Sequence, residues 1–157
     1  RLPERDYVLI NRSKFESEMA ATLGGRAAED IVFEDVTDGA ADDLEKATKM
    51  ARSMVTQYGM SEKLGPLQFG QKDELIFLGR EISEQRNYSE LVASEIDREV
   101  RRLVESAYHR ARNILLANRA ALDEIARRLL SEETIEGEEF EEIFRNLPQP
   151  VLEPVPA

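Results

Sequence analysis

Three carboxylates stand close together at Asp38, Asp42 and Asp43, at what reads as the start of a helix. Two readings of them stay open. Acids in a helix's first turn meet the positive end of its dipole and cap its free N–H groups. The same oxygens could instead ligate a metal. The spacing does not suit a calcium loop, which alternates its acids and closes with a later bidentate Glu. A second acidic pair, Glu29 and Asp30, follows Gly24-Gly25-Arg26-Ala27-Ala28. Acids on a helix are usually solvated, but the small residues beside these let another backbone or a metal site come near. The only histidine is His109, between Tyr108 and Arg110, with Arg102 and Arg112 nearby and Glu105 as its one acidic candidate partner. Neighbouring positive charge disfavours a cation there, so it reads as a surface or half-buried structural residue. A catalytic zinc site usually needs about two or three imidazoles, and this chain alone cannot supply them.

Composition narrows the remaining chemistry. The 157 residues carry 21 Lys+Arg against 32 Asp+Glu, a net charge of −11. That balance argues against sequence-independent nucleic-acid binding, which needs cations to displace phosphate counterions. It argues equally against docking on an anionic membrane surface. With no cysteine, disulfide scaffolds, thiolate metal sites and cysteine nucleophiles are excluded. No apolar run is long enough to span a bilayer. The opening Arg1-Leu2-Pro3 is neither a signal nor a transit peptide, and without an initiator Met it reads as part of something longer.

The elements that would position these residues are helices. Ser13-Lys14-Phe15-Glu16 reads as a capping box. Phe15, Met19, Leu23, Ala27 and Ile31 then recur every four residues, widened by Ala20, Ala28 and Val32. Gly24-Gly25 would each cost about 1 kcal/mol relative to Ala inside a helix. Because the apolar period stays in phase across them, close packing rather than a break is expected. After a loop over 34–41, a second helix carries Leu44, Ala47, Ala51, Met54, Val55 and Tyr58 on one face and stops at Gly59. Gly65-Pro66 marks a turn, and Leu67–Phe69 and Ile76–Leu78 read as either a small β-hairpin or ordered loop within 64–80. A long helix is expected from Ser89 to Leu116, its stripe formed by Val92, Ile96, Val100, Leu103, Ala107, Ala111 and Ile114. The mixed charges from Glu95 to Arg112 read as a solvated face laced with i,i+4 pairs, and the acids from Glu132 to Glu142 as surface. Asn118 breaks or caps the long helix. Further helices carry Leu122, Ile125, Ala126 and Leu129, then Phe140, Ile143, Phe144 and Leu147. The fold class is therefore mostly α, with one domain over 1–147 and a Pro-rich disordered tail over 148–157.

A resemblance adds what periodicity does not. Leu23-Gly24-Gly25-Arg26-Ala27-Ala28-Glu29-Asp30 and Val36-Thr37-Asp38-Gly39-Ala40-Ala41-Asp42-Asp43-Leu44-Glu45-Lys46-Ala47-Thr48 resemble the peptidase domain of FtsH-type ATP-dependent zinc metalloproteases. Further matches follow in order: Met54-Val55 with Tyr58-Gly59-Met60-Ser61, Leu64-Gly65-Pro66, Phe77-Leu78-Gly79-Arg80, Ile96-Asp97-Arg98-Glu99-Val100, and Glu133-Thr134-Ile135 with Gly137-Glu138-Glu139. The similarity covers nearly everything up to Leu147.

The resemblance implies a helical piece of a zinc endopeptidase that degrades unfolded and membrane proteins. In that family a membrane-anchored AAA+ ring uses ATP to unfold substrates and feeds them to a peptidase ring. The peptidase side is cytoplasmic in bacteria, or equivalent in organelles. Zinc is held by two histidines of a His-Glu-x-x-His helix and by a distant aspartate, with the intervening Glu as general base. Carried onto this sequence, the match makes Asp43 the third zinc ligand. It makes Glu29 an acid that orients a ligating histidine through its other ring N–H. The helices from Ser89 onward become the body that packs between subunits of a homo-hexamer. The segment itself is expected to be soluble, with no membrane or nucleic-acid contact.

Three departures accompany the match. The His-Glu-x-x-His helix is absent, so no catalytic residue is assigned and the chain alone is expected to be inactive. Asp38 replaces the second Thr of the usual Thr-Thr-Gly-Ala. Asp42 replaces the Asn of the usual Asn-Asp. The alternative from another class is a non-catalytic homologue, a helical oligomerisation module without zinc. Loss of the zinc helix is further expected to leave apolar surface uncovered around Met19, Leu23 and Ala47.

Overall fold

A computed structural model describes residues 9–35, 38–70, 88–132 and 142–148. Its order is α1 (Arg12–Phe33), a 3-10 turn at Asp38–Ala40, α2 (Ala41–Thr56), α3 (Glu90–Ala117) and α4 (Arg119–Glu132). A further helical turn lies at 142–145. The class is mostly α, and none of the described helices is long and apolar enough to cross a membrane. Residues 67–69 are irregular, with no strand among the described residues; Ile76–Leu78 and most of the Pro-rich tail lie outside them.

α1 is the central element. Met19 through Gly24 are all buried, as are Ala27 and Ala28. A helix apolar around so much of its circumference must be covered on several sides. Met19 and Leu23 join Ala47, Ala51, Met54 and Val55 of α2 and Ile96, Val100, Leu103 and Ala107 of α3. Ala20, Ala21, Ala27 and Ala28 join Ala111, Ile114 and Leu115 of α3, Leu122 and Ile125 of α4, and Phe144. The expected apolar exposure around Met19, Leu23 and Ala47 is overturned: all three are 0% exposed. Neighbouring helices of this same chain cover them. α1 also runs unbroken through Gly24-Gly25, with Gly24 buried.

The helix ends correct the expectations in detail. The cap of α1 is Asn11, whose Oδ1 accepts from the Lys14 N–H at 2.9 Å. Ser13 lies inside the helix, so the expected capping box is replaced by a single cap bond two residues earlier. Such a bond satisfies one of the amides that a helix start leaves unpaired. α2 ends at Thr56, before Tyr58, and Tyr58 is 56% exposed rather than on the buried face. Its ring instead lies 5.6 Å from that of Phe15, near the other end of the α1–α2 pair. α3 follows the expected bounds closely: Ser89 caps it through Val92 N–H. Asn118 closes it, its side-chain amide donating to Ile114 O at 2.7 Å and Pro148 O at 3.0 Å.

Candidate metal centre

Asp43 lies in the first turn of α2. α1 closes on Glu34, which adopts a left-handed conformation (φ 53°) and returns its N–H to Asp30 O at 3.1 Å. The chain then enters the 3-10 turn and α2. The cap position of α2 is Ala40, with no side-chain cap bond. Asp38, Asp42 and Asp43 are therefore not capping this helix. Asp42 and Asp43 occupy its first turn, where the dipole favours negative charge.

Asp42 is exposed and Asp43 half-buried. Burial raises the Asp43 pKa, Lys46 opposes that rise, and the adjacent Asp42 adds to it. No hydrogen bond or ion pair to the Asp43 carboxylate is seen among the described residues. Such a group, partly desolvated and uncommitted, retains its lone pairs for a cation. Carboxylate oxygen is an ordinary zinc ligand, so Asp43 fits one place in a coordination set. The described residues do not complete the set: no three His, Asp or Glu side chains converge closely enough to hold an ion.

Glu29 is half-buried on α1, directly after the buried Ala28. Its neighbour Asp30 accepts a hydrogen bond from the Tyr108 hydroxyl of α3 and lies 4.0 Å from Arg26 Nε. The acidic pair is thus not simply solvated. His109 is exposed on α3, and its ring meets the edge of Tyr108 at a centroid separation of 6.0 Å. It joins neither Glu29 nor Asp43 in a metal-binding group.

One feature of the α2–α3 junction escaped the sequence reading. Glu99 is only 5% exposed, in the middle of the charge run expected to be solvated. Ser61, 2% exposed, donates to Glu99 Oε2 at 2.9 Å. Arg102 donates through Nε to Oε1 at 3.2 Å and through a terminal nitrogen to Oε2 at 3.0 Å. Ser61 Oγ also accepts the Leu64 N–H at 3.2 Å. These bonds hold the Glu99 pKa below its ordinary value, Arg102 contributing most, against the opposing effect of burial. A signal was present: Glu99 falls three residues after Ile96 and four before Leu103, inside the apolar stripe. With Arg12, Glu16, Met60, Glu62, Lys63 and Leu103, this pair lines a mostly polar cleft of about 290 Å³.

A helical body with an uncommitted carboxylate at a helix start is consistent with part of a metallopeptidase domain. The model of peptidase family M41 matches residues 1–143, and the chain belongs to that family. It is 53% identical over 143 residues to ATP-dependent zinc metalloprotease FtsH 1 of Thermomicrobium roseum, covering 91% of this chain and 22% of that protein. It is 54% identical over 149 residues to ATP-dependent zinc metalloprotease FtsH of Chloroflexus aggregans, covering 93% and 23%. The like-named protein of Thermotoga maritima is 51% identical over 152 residues, covering 97% and 25%. The chain thus spans about a quarter of the length of the curated relatives it matches.

Proposed function

We propose that the chain serves as the helical part of the peptidase unit in an ATP-dependent zinc endopeptidase acting on protein substrates. In this reading Asp43 supplies one zinc ligand from the first turn of α2, and Glu29 orients a ligating imidazole contributed from outside the described residues. Zinc, when bound, supplies a water of lowered pKa and polarises the scissile carbonyl. Asp43's part is to offset some of the metal's charge and fix one direction of its coordination shell. ATP is used by a separate ring module, the assembly is a homo-hexamer to which α3 and α4 contribute packing surface, and anchoring to the membrane lies outside this segment.

The observation that carries the reading is the half-buried Asp43 carboxylate, with no partner among the described residues, in a chain of this family. A residue serving only the helix dipole gains nothing from desolvation, which disfavours its charged form.

The test is a pair of isosteric substitutions in the assembled protease. Asp43→Asn keeps the shape and replaces a charged ligand by a weaker amide oxygen. Zinc content and proteolysis should fall together, while ATP hydrolysis persists. Asp42→Asn, one residue away and exposed, should leave both intact. Full zinc content and full proteolysis in Asp43→Asn would refute the ligand assignment, whereas an unmodified assembly with neither zinc nor proteolysis would favour the non-catalytic helical module.

A further inference from the structure

We propose that Tyr108 is a positioning residue for the metal site, acting through Asp30 to fix the last turns of α1 and hence the direction of Glu29. This deepens the preceding reading and rests on the role given there to Glu29.

Burial on α1 ends before the helix does. Its fully buried residues stop at Ala28. Beyond that point Glu29, Asp30, Ile31 and Val32 are half-buried, and Phe33 is 41% exposed. Along the turn that carries Glu29, apolar packing is reduced to the partly buried Ile31 and Val32, which rest against the core without being enclosed by it. A helix end with little burial frays readily. Polar ties hold this one: the Tyr108 hydroxyl donates to Asp30 Oδ2 across 78 positions of sequence. Arg26, one turn earlier, brings its guanidinium to 4.0 Å from the same oxygen. Arg112, on the next turn of α3, brings its positive charge to bear on the Tyr108 hydroxyl.

Adjacent helical residues project about 100° apart around the axis. Binding Asp30 to α3 thus sets the rotation of α1's last turns, and Glu29 must project from a different face. The cap of α1 returns to Asp30 as well, the Glu34 N–H donating to its backbone O at 3.1 Å. Burial and the Asp30 bond both raise the Tyr108 pKa, with burial the larger cause. A tie of this kind matters because groups that orient metal ligands typically change affinity by about 10–100-fold when removed.

The experiment uses Tyr108→Phe in the assembled protease, which keeps the ring and deletes only the donor. Zinc affinity is measured by competition with a chromophoric chelator, alongside thermal unfolding. Affinity should weaken by about 10-fold, at the lower end of that range because Tyr108 acts one residue removed. Glu29→Gln should weaken it as well. The two losses should not add in the double variant, since they act on one side chain. Loss of zinc affinity in Glu29→Gln beside an unchanged Tyr108→Phe overturns this inference alone. So does a lowered melting temperature in Tyr108→Phe with zinc affinity intact, or full additivity. Unchanged affinity in Glu29→Gln overturns the assignment of Glu29 and this inference with it.

Discussion

Replacing Glu99 by Gln tests whether the α2–α3 junction is held by charge or merely by contact. The carboxylate accepts one hydrogen bond from a buried hydroxyl and two from a guanidinium whose side chain is 54% exposed. The guanidinium bonds count as a surface ion pair, worth at most about 1 kcal/mol, because water can replace them. The bond from buried Ser61 to a charged acceptor is worth about 1.5–3 kcal/mol. Gln retains one acceptor oxygen but turns an amide donor towards other donors. The expected loss is therefore about 2 kcal/mol, or roughly 4–8 °C in melting temperature for a domain of this size. Ser61→Ala should cost a similar amount, because it also strands the Leu64 N–H. The two should be coupled by roughly 1 kcal/mol in a double-mutant cycle. The pH dependence has a defined sign. The folded-state pKa of Glu99 lies below its ordinary value, so its contribution is complete above the unfolded pKa. It is lost as pH falls through the folded one. The gap between wild type and Glu99→Gln in urea unfolding should thus be full at neutral pH and close in acid. A loss under about 0.5 kcal/mol at neutral pH, the range of an ordinary surface change, would refute the reasoning.

Two further predictions concern the backbone. Gly59 and Gly65 both have positive φ, +59° and +78°, but a Cβ on Gly59 would lie 2.8 Å from Pro66 Cα whereas one on Gly65 meets nothing within 4 Å. Gly65→Ala should cost about 1–2 kcal/mol, the penalty for left-handed backbone, and Gly59→Ala clearly more; chemical denaturation of both variants checks the order, and equal losses would contradict it. Asn11→Ala should cost about 1 kcal/mol by removing the α1 cap, while Ser13→Ala should stay within about 0.5 kcal/mol; thermal melts that reverse this ranking would restore the capping box at Ser13.

The parts of the fold legible in the sequence are those where several local signals agree. α3 is the clearest case. A serine at its start, an apolar stripe from Ile96 to Ile114 and an asparagine at its end each indicate the same helix, and its bounds emerge almost unchanged. The start of α1 was misjudged because Ser13 with Glu16 fits a capping box, whereas Asn11 begins the helix two residues earlier and takes the Lys14 N–H. Tyr58 was assigned to the α2 face by spacing, but the helix ends first and the spacing no longer applies. Glu99 shows a different failure: its charge was read from its neighbours, while its place in the stripe implied burial. Once buried, a carboxylate must find donors, and Ser61, from another part of the chain, supplies one that no local pattern announces. The metal site lies furthest from sequence logic. Spacing left Asp43 open between helix dipole and ligand, and only the resemblance separated it from Asp42. Structure adds that Ala40 occupies the cap position and that Asp43 alone of the two is drawn partly out of water. Neither observation forms a metal site, because such a site arises where distant residues converge, and the described residues bring no three ligands together. In the function proposed above, the chain contributes a position for one ligand rather than a whole site. α1, covered on several sides, carries Glu29 beside an Asp30 that α3 holds through Tyr108.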